Sequence, residues 1–499
     1  MASPETPILE AKDEAEAFIV QPQSPNPSVE YAEVEAAVQG QKCRDSQQWS
    51  MWYKRYLSVL VSVVLFITVT LISEALSFFA NDLAEEFKLN ATLVNLTITN
   101  FSICFCLGPL LWCPLSEHYG RRPVYLLCFN GFTVSQVCAA VSQNAASLVI
   151  FRSLSGFFGS ACLPLAVAVL FDSWEVEISE REIGSCILNM IAPSSGVLFG
   201  AFLAQKGFGW RETSWLLAII TGLCTVLVIL TLRETRRPIL AKFDEPADGT
   251  PNSKEASGSE QHAYYTLGSY TIPKASLWRV IAKPYVLLWR EPVLIISAVY
   301  LAMIGASTTI FLRVSAVALL DYTPAVQLIG GIAILIGNTV GIVIHNHIIY
   351  PRFYLPKVRA VAPDCVQPEV RLTVAAWAAP LFAACFIWFG WTLSPRISVA
   401  VPLIASPLLG MSAQLLMQVM FNYIIDVYED TVATAVAWCT VLMYALITVF
   451  TVCSPQVFGT LSVCWIMTLV GGVAVALVPV PMLLTRYGPF LRAISGRIR

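Results

Sequence analysis

Twelve apolar stretches, each long enough to cross a hydrocarbon core of about 30 Å as a helix, dominate this chain of 499 residues. They run at about 57–80, 93–113, 123–142, 147–171, 184–204 and 213–232, then at about 292–318, 326–349, 372–392, 397–425, 432–454 and 462–485. In lipid such stretches become helices, because a helix closes its own backbone hydrogen bonds where no water can. Only 13% of the residues are charged and 56% are hydrophobic, whereas a soluble chain carries about 25% charged residues. With a mean hydropathy of +0.67, the expected fold is an all-α integral membrane protein of 12 transmembrane helices, with the lipid bilayer as its solvent.

Six spans, a gap and six more is the arithmetic of a duplicated transporter fold, two pseudo-symmetric six-helix bundles. Residues 1–48 are acidic and rich in Pro, Gln and Ser, which predicts a disordered cytosolic tail. The first bundle is expected at 49–232 and the second at 292–485. Between them, 233–291 contains "FDEPADGTPNSKEASGSEQ", a polar cytosolic linker, and 486–499 forms a basic cytosolic tail. Trp49, Trp52 and Tyr53 beside Lys54 and Arg55 make the aromatic and basic mixture that settles at a membrane interface. No short basic and apolar leader precedes them, so the first span is expected to serve as the membrane signal. With both termini cytosolic, the inner loops and tails hold about 25 Lys and Arg and the outer loops about 4, a strong positive-inside bias.

The net charge of −2 offers no basic face for nucleic acid. The 14 cysteines fall mostly inside apolar runs, without the spacing of a zinc site or disulfide framework. His345 and His347, two positions apart, point to different sides of a helix, so no metal site is expected. There is no Gly-x-x-x-x-Gly-Lys-Ser/Thr, hence no nucleotide drive and no cofactor. The four histidines form no catalytic cluster with Ser or Asp, which argues against an enzyme. Of the glycosylation sequons, Asn90-Ala-Thr lies in the first outer loop and is the candidate acceptor; Asn95 is close to the bilayer and Asn100 is within span 2.

An ionisable group inside a span costs about 2.5–3.5 kcal/mol on insertion scales, so it faces protein or water. Glu74 near the outer end of span 1 and Arg313 in span 7 fall at similar depth when the halves are superposed. Together they are candidates for an outer gate whose ion pair opens when Glu74 takes a proton; an outer-rim carboxylate in water, or a static pair, is the plainer alternative. Arg152 in span 4 is a third buried charge, suited to a coupling role or to hydrogen bonding neighbouring carbonyls. In span 10, Gln414, Gln418, Asn422 and Asp426 recur every four residues on one helical face. The three amides are candidates for lining a substrate cavity or for joining helices, and Asp426 for a solvated end or a gate.

Between spans 2 and 3 stands "CPLSEHYGRRP", which resembles the Gly-x-x-x-Asp-Arg-x-Gly-Arg-Arg hallmark of the major facilitator superfamily. Arg152 and Gly156 in "FRSLSGFFGS" are similar to its Arg-x-x-x-Gly element. "GWRETSW", "RETRRPIL", "PEVRL" and "FNYIIDVY" are similar to elements of its fungal 12-span drug:proton antiporters. Span 5 departs from their Gly-Pro-rich pattern: it reads "APSSGVLFGA", lacking one proline and two glycines.

The resemblance implies a secondary transporter moving a small amphipathic organic molecule by alternating access, with proton-coupled export of drugs, polyamines or fungal metabolites. It also implies a plasma-membrane location, with a vacuolar or vesicular membrane as alternative, and a monomer. The departure in span 5 keeps an uptake symporter or facilitator open, with a non-transporting sensor further behind. In the family the loop is a latch: the resemblance sets Glu117 against the start of span 11, and Arg121 and Arg122 beyond Gly120 against nearby acids, for which Asp172 is the candidate. Arg152 would assist proton transfer. Three positions differ from the hallmark: Cys113 for Gly, Glu117 for Asp, and His118, with a reference pKa of about 6.5, for Arg. The latch is therefore expected to be retained but looser.

Overall fold

A computed structural model describes residues 49–72, 75–88, 90–174, 193–235, 291–319, 324–361, 367–394, 397–428 and 431–496. The tail 1–48 and most of the linker lie outside them. Span 1 is the helix Met51–Leu65 continued by a π-helical stretch Phe66–Ile72, and spans 2 and 3 are Ala91–Tyr119 and Arg121–Val141. Span 4 combines Ala145–Gly159 with Cys162–Ser173, span 5 is described from Pro193–Gln205, and span 6 is Trp210–Thr231. Spans 7 and 8 are Pro292–Ala318 and Pro324–Ile344, the latter extended by a π-helix His345–Tyr354. Spans 9, 10 and 11 are Ala375–Thr392, Ala400–Val427 and Val432–Thr460, and span 12 joins Val463–Leu477 to Pro479–Gly496. Eleven of these are long and apolar enough among the described residues to cross a membrane; the predicted span 184–204 is described only in its second half.

The largest difference from the sequence-based expectation is at "CPLSEHYGRRP". A charged loop is expected from residue 114 onward, yet the helix runs on through Tyr119 and a single residue, Gly120, separates it from span 3. Gly120 has φ 108° and ψ 160°, a region open essentially to glycine alone. The charges need no loop because the protein itself buries them: Glu117 is 8% and Arg121 5% exposed.

The bundles meet through small side chains. Cys113 of span 2 and Ala168 of span 4 pack with Ala433 and Ala437 of span 11 in one buried cluster. Short side chains let helix backbones approach where lipid supplies no hydrophobic drive between helices. Cys113 is wholly buried there, so a thiol fits where the hallmark has glycine. Deeper along the same seam the Phe105 and Tyr444 rings lie 4.4 Å apart, carrying the contact from span 2 to span 11.

Candidate functional site

The end of the first bundle predicted to face the cytosol, called the inner end below, is a buried network of charges. Span 11 starts at Val432, so its first backbone N–H groups have no partner within the helix. The carboxylate of Glu117 sits on that terminus, accepting the Thr434 N–H at 3.0 Å. Negative charge is stabilised at a helix N-terminus by its unpaired N–H groups and dipole. The contact joins the two bundles.

Arg121, the first residue of span 3, turns inward. Its Nε donates to Asp172 Oδ2 at 3.2 Å and its Nη1 to Ser116 Oγ at 3.0 Å. The N-terminus of span 3 is in turn held by Glu234, from the segment after span 6: its two oxygens accept the N–H groups of Arg121 at 2.9 Å and Arg122 at 3.0 Å. Gly120 has no side chain with which to cap this helix, so a carboxylate more than a hundred residues away does so instead. Glu117, Gly120, Arg121, Arg122 and Asp172 therefore form one site, to which the structure adds Ser116, Glu234 and Thr434.

The second bundle has a related cluster. Arg371, in a 3₁₀ turn Pro368–Thr373 leading into span 9, donates to both oxygens of Asp426 at 2.5 and 3.2 Å. Asp426 is thus an ion-pair partner inside the bundle rather than a solvated helix end. The Arg371 guanidinium also lies 4.0 Å from the Tyr354 ring centroid, a cation–π contact. Arg492 of span 12 forks onto Glu369, with two contacts of 2.8 Å.

Arg152 is 1% exposed. Its Nη1 donates to the Ile72 carbonyl at 3.3 Å and its guanidinium lies 5.3 Å from the Phe101 ring. One turn on, a Cβ at Gly156 would fall 2.2 Å from the Phe101 carbonyl oxygen, so the glycine is what lets spans 4 and 2 come this close. Ile72 ends the π-helical stretch of span 1. Glu74 lies outside the described residues, so its predicted pairing with Arg313 does too; Arg313 itself is half-buried in span 7.

The stripe on span 10 packs against span 8. Gln414 and Gln418 are wholly buried, and Gln418 Nε2 lies 3.0 Å from His345 Nδ1 and 3.2 Å from Asn346 Oδ1. Asn422 instead lines a pocket near the inner end. Asn90 is exposed at the N-cap of span 2, while Asn100 is turned into the bundle, donating to the Val149 carbonyl and to Ser153.

On the predicted outer side, the Gly-Trp-Arg element ties the start of span 6 to the short helix Ala80–Phe87. Glu86 accepts from Trp210 Nε1 at 2.5 Å and from Arg211 Nη2 at 2.6 Å, and Arg211 Nη1 donates to the Ser142 carbonyl at 2.9 Å. The Arg211 and Trp210 hydrogen bonds hold the Glu86 carboxyl below the usual glutamate range.

The model of the Major Facilitator Superfamily matches residues 59–452. The chain belongs to this superfamily. It is 29% identical over 455 residues to a citrinin biosynthesis cluster transporter of Monascus ruber, covering 89% of this chain and 88% of that one. It is 30% identical to a superfamily transporter of Aspergillus candidus, covering 87% and 85%, and 26% identical to an efflux pump of Gibberella moniliformis, covering 88% and 74%. Among solved structures, the superfamily's proton:xylose symporter XylE superposes with a TM-score of 0.64 at 13% identity, over 88% of this chain and 96% of that one. The human organic anion transporter MFSD10 gives a TM-score of 0.59 at 14% identity, over 86% and 99%. The fold is therefore the major facilitator fold, and the protein is a multi-pass membrane protein.

Proposed function

We propose that this chain exports a small amphipathic organic compound, of the kind fungi make as secondary metabolites, in exchange for protons by alternating access, acting as a monomer in the plasma membrane with both termini cytosolic. The observation that carries the reading is the Glu117 carboxylate on the N-terminus of span 11. It is made from one bundle to the other, so it favours the state in which their inner ends are together and is lost when they separate. A contact made in only one of two states biases the equilibrium between them. The relatives named for efflux and for a metabolite gene cluster support the direction and the substrate class.

Arg152, buried against the carbonyl two residues before Glu74, supports a coupling role for that corner of the first bundle. Glu74 takes the coupling proton in this reading and Arg313 is its counter-charge across the outer gate. Purified protein in liposomes, with an imposed pH gradient and a panel of fungal metabolites, tests it. Flux of a metabolite against its gradient when the opposite compartment is acidic is expected, and it should be lost in Glu74→Gln. Flux along with protons would favour the uptake reading that "APSSGVLFGA" in span 5 leaves open. No gradient-dependent flux of any compound overturns both.

A further inference from the structure

Spans 3 and 6 run side by side in the first bundle. The Thr133 and Thr225 hydroxyl oxygens meet 2.6 Å apart, and nearer the inner end Glu234 accepts the Arg122 N–H, so the two spans are antiparallel. Val134 and Val226 each stand one residue beyond a threonine, and both are exposed. In an antiparallel pair the same rotation about each helix axis leads to the same side of the contact. The two valines therefore border one furrow, which the exposed Leu127 and Leu230 continue toward the inner end. In a membrane-spanning bundle an exposed apolar furrow of this kind faces acyl chains.

Two arginines stand at the inner mouth of the furrow. Arg122 is the second residue of span 3, and Arg233 comes two residues after the end of span 6. The Arg233 guanidinium lies 4.8 Å from the Tyr53 ring centroid, and the charges of both arginines act on the Tyr53 hydroxyl, which donates to the Thr231 carbonyl. Two cations gathered at one hydroxyl repel each other, and an anion between them removes that cost. The nearby acid is committed elsewhere, because both oxygens of Glu234 accept backbone N–H groups. Among the described residues neither arginine side chain makes an ion pair, and Arg122 Nε is buried without a hydrogen-bond partner. Trp52, next to Tyr53, is 81% exposed, an aromatic suited to headgroup depth.

We propose that this mouth is a binding site for one anionic phospholipid of the leaflet predicted to be cytosolic, with its phosphate between Arg122 and Arg233 and its acyl chains along the furrow. Guanidinium groups pair with phosphate oxygens through charge-assisted, often bidentate hydrogen bonds. A basic mouth between transmembrane helices suits such a headgroup, since the phosphate and the chains are satisfied together. A soluble phosphate gains only the first of these contacts, which is why a lipid is the occupant. The bound lipid bridges the start of span 3 and the segment after span 6, the joint that Glu234 also closes.

Native mass spectrometry of the full chain in detergent tests this, by counting retained phosphatidylserine and phosphatidylcholine of the same acyl chains at stepped lipid concentrations. The first phosphatidylserine is expected to bind about ten-fold more tightly than phosphatidylcholine. The preference should fall to about two-fold or less in Arg122→Gln and in Arg233→Gln. Arg233 is exposed, so its variant removes charge without opening the core. The control is Arg486→Gln, at an exposed arginine beside the Tyr487 ring in span 12, which should keep the full preference. Equal retention of the two lipids, an unchanged preference in either test variant, or an equal loss in Arg486→Gln overturns the assignment. Glycerophosphoserine, the headgroup without chains, should displace the lipid only in large excess; displacement at equal concentration overturns it in favour of a soluble anion. The readout is lipid retention, so its failure is distinguishable from failure of the export reading, which is tested by flux.

Discussion

The two bundles close their inner ends with the same central pair and different outer partners. In each, an arginine at or just before the start of the third span of the half meets the aspartate that is the last residue but one of the fourth: Arg121 with Asp172, and Arg371 with Asp426. The residue that follows each fourth span is an aromatic that reaches back to the first span of its half or to the residue before it. Trp174 Nε1 donates to Ser58 Oγ at 2.8 Å, and the Tyr428 hydroxyl donates to Glu291 Oε2 at 3.0 Å. The third partner is where they part. The first bundle brings an acid, Glu234, to the bare backbone of span 3, whereas the second brings a base, Arg492, to an acid, Glu369, beside span 9. The pair belongs to the duplicated architecture, and the third contact is a local solution to whatever the helix start leaves unmet.

The comparison breaks most visibly if the arginines are removed. Leaving one member of a buried pair uncompensated costs about 3–5 kcal/mol. Arg371→Met is expected to cost more than Arg121→Met, because Arg371 engages both oxygens of Asp426 and covers Tyr354, while Arg121 gives Asp172 one donor and another to Ser116. Thermal unfolding of the purified variants measures both losses. Asp426→Leu added to Arg371→Met should recover most of the second loss, since an apolar pair of similar volume replaces the ions. Equal losses in the two halves would show that the pair alone sets the cost.

Next in size is the turn. Span 3 follows span 2 after one glycine at φ 108°, while span 9 is entered through the 3₁₀ turn Pro368–Thr373. Gly120→Ala is therefore expected to cost about 1–3 kcal/mol, the cost of a non-glycine residue in that region. The same unfolding measurement checks it.

The cross-bundle contact is smaller energetically and larger in consequence. Glu117→Gln keeps an oxygen for the Thr434 N–H and loses the charge, which on the helix terminus contributes about 0.3–1 kcal/mol and up to about 2 when buried. A shift of 1 kcal/mol is a roughly five-fold change in the ratio of the two states. Cys113, wholly buried at the seam, is the native reporter. Its alkylation by a small thiol reagent should be faster by about that factor in the variant, and an unchanged rate would separate Glu117 from the gate.

Much of this arrangement is legible in the chain itself, and the parts that are not have a common cause. Apolar length alone places the spans, because the bilayer fixes how many residues a helix needs. Asp172 is readable as a partner for the arginines because it stands at the inner end of an apolar run, where a lone acid needs a reason. Glu234, Arg371 and Glu369 sit in the quoted stretches "RETRRPIL" and "PEVRL", yet their partners do not follow from them. Glu234 bonds two backbone N–H groups, which carry no residue identity, and Arg371 meets an aspartate 55 positions away. The stripe of amides on span 10 is readable as one face, but only packing against span 8 separates Gln418, taken up by His345 and Asn346, from Asn422, which faces a pocket. Gly120 hides a whole loop: charge density predicts exposed chain, and burial of both charges makes it helix.

The smallest expected effect lies at the opposite end of the molecule, predicted to be the outer one, at Glu86. Unlike the inner acids it is about two-fifths exposed, with a side-chain accessibility of 39%, so its pair with Arg211 is screened by water and contributes little at neutral pH. Its pH dependence is nonetheless definite in sign. The hydrogen bonds from Arg211 and Trp210 lower its folded-state pKa, so the folded protein holds the carboxylate more firmly than the unfolded chain does. The stabilisation is complete above the ordinary glutamate pKa of about 4.3 and fades as pH falls below it through the lowered folded value. Glu86→Gln should flatten that part of the unfolding profile between about pH 3 and 5 while leaving the neutral-pH value almost unchanged. If the wild type and the variant lose stability in parallel over this range, the acid sensitivity belongs to the inner clusters, and the outer Gly-Trp-Arg contact is a positioning device whose charge is incidental.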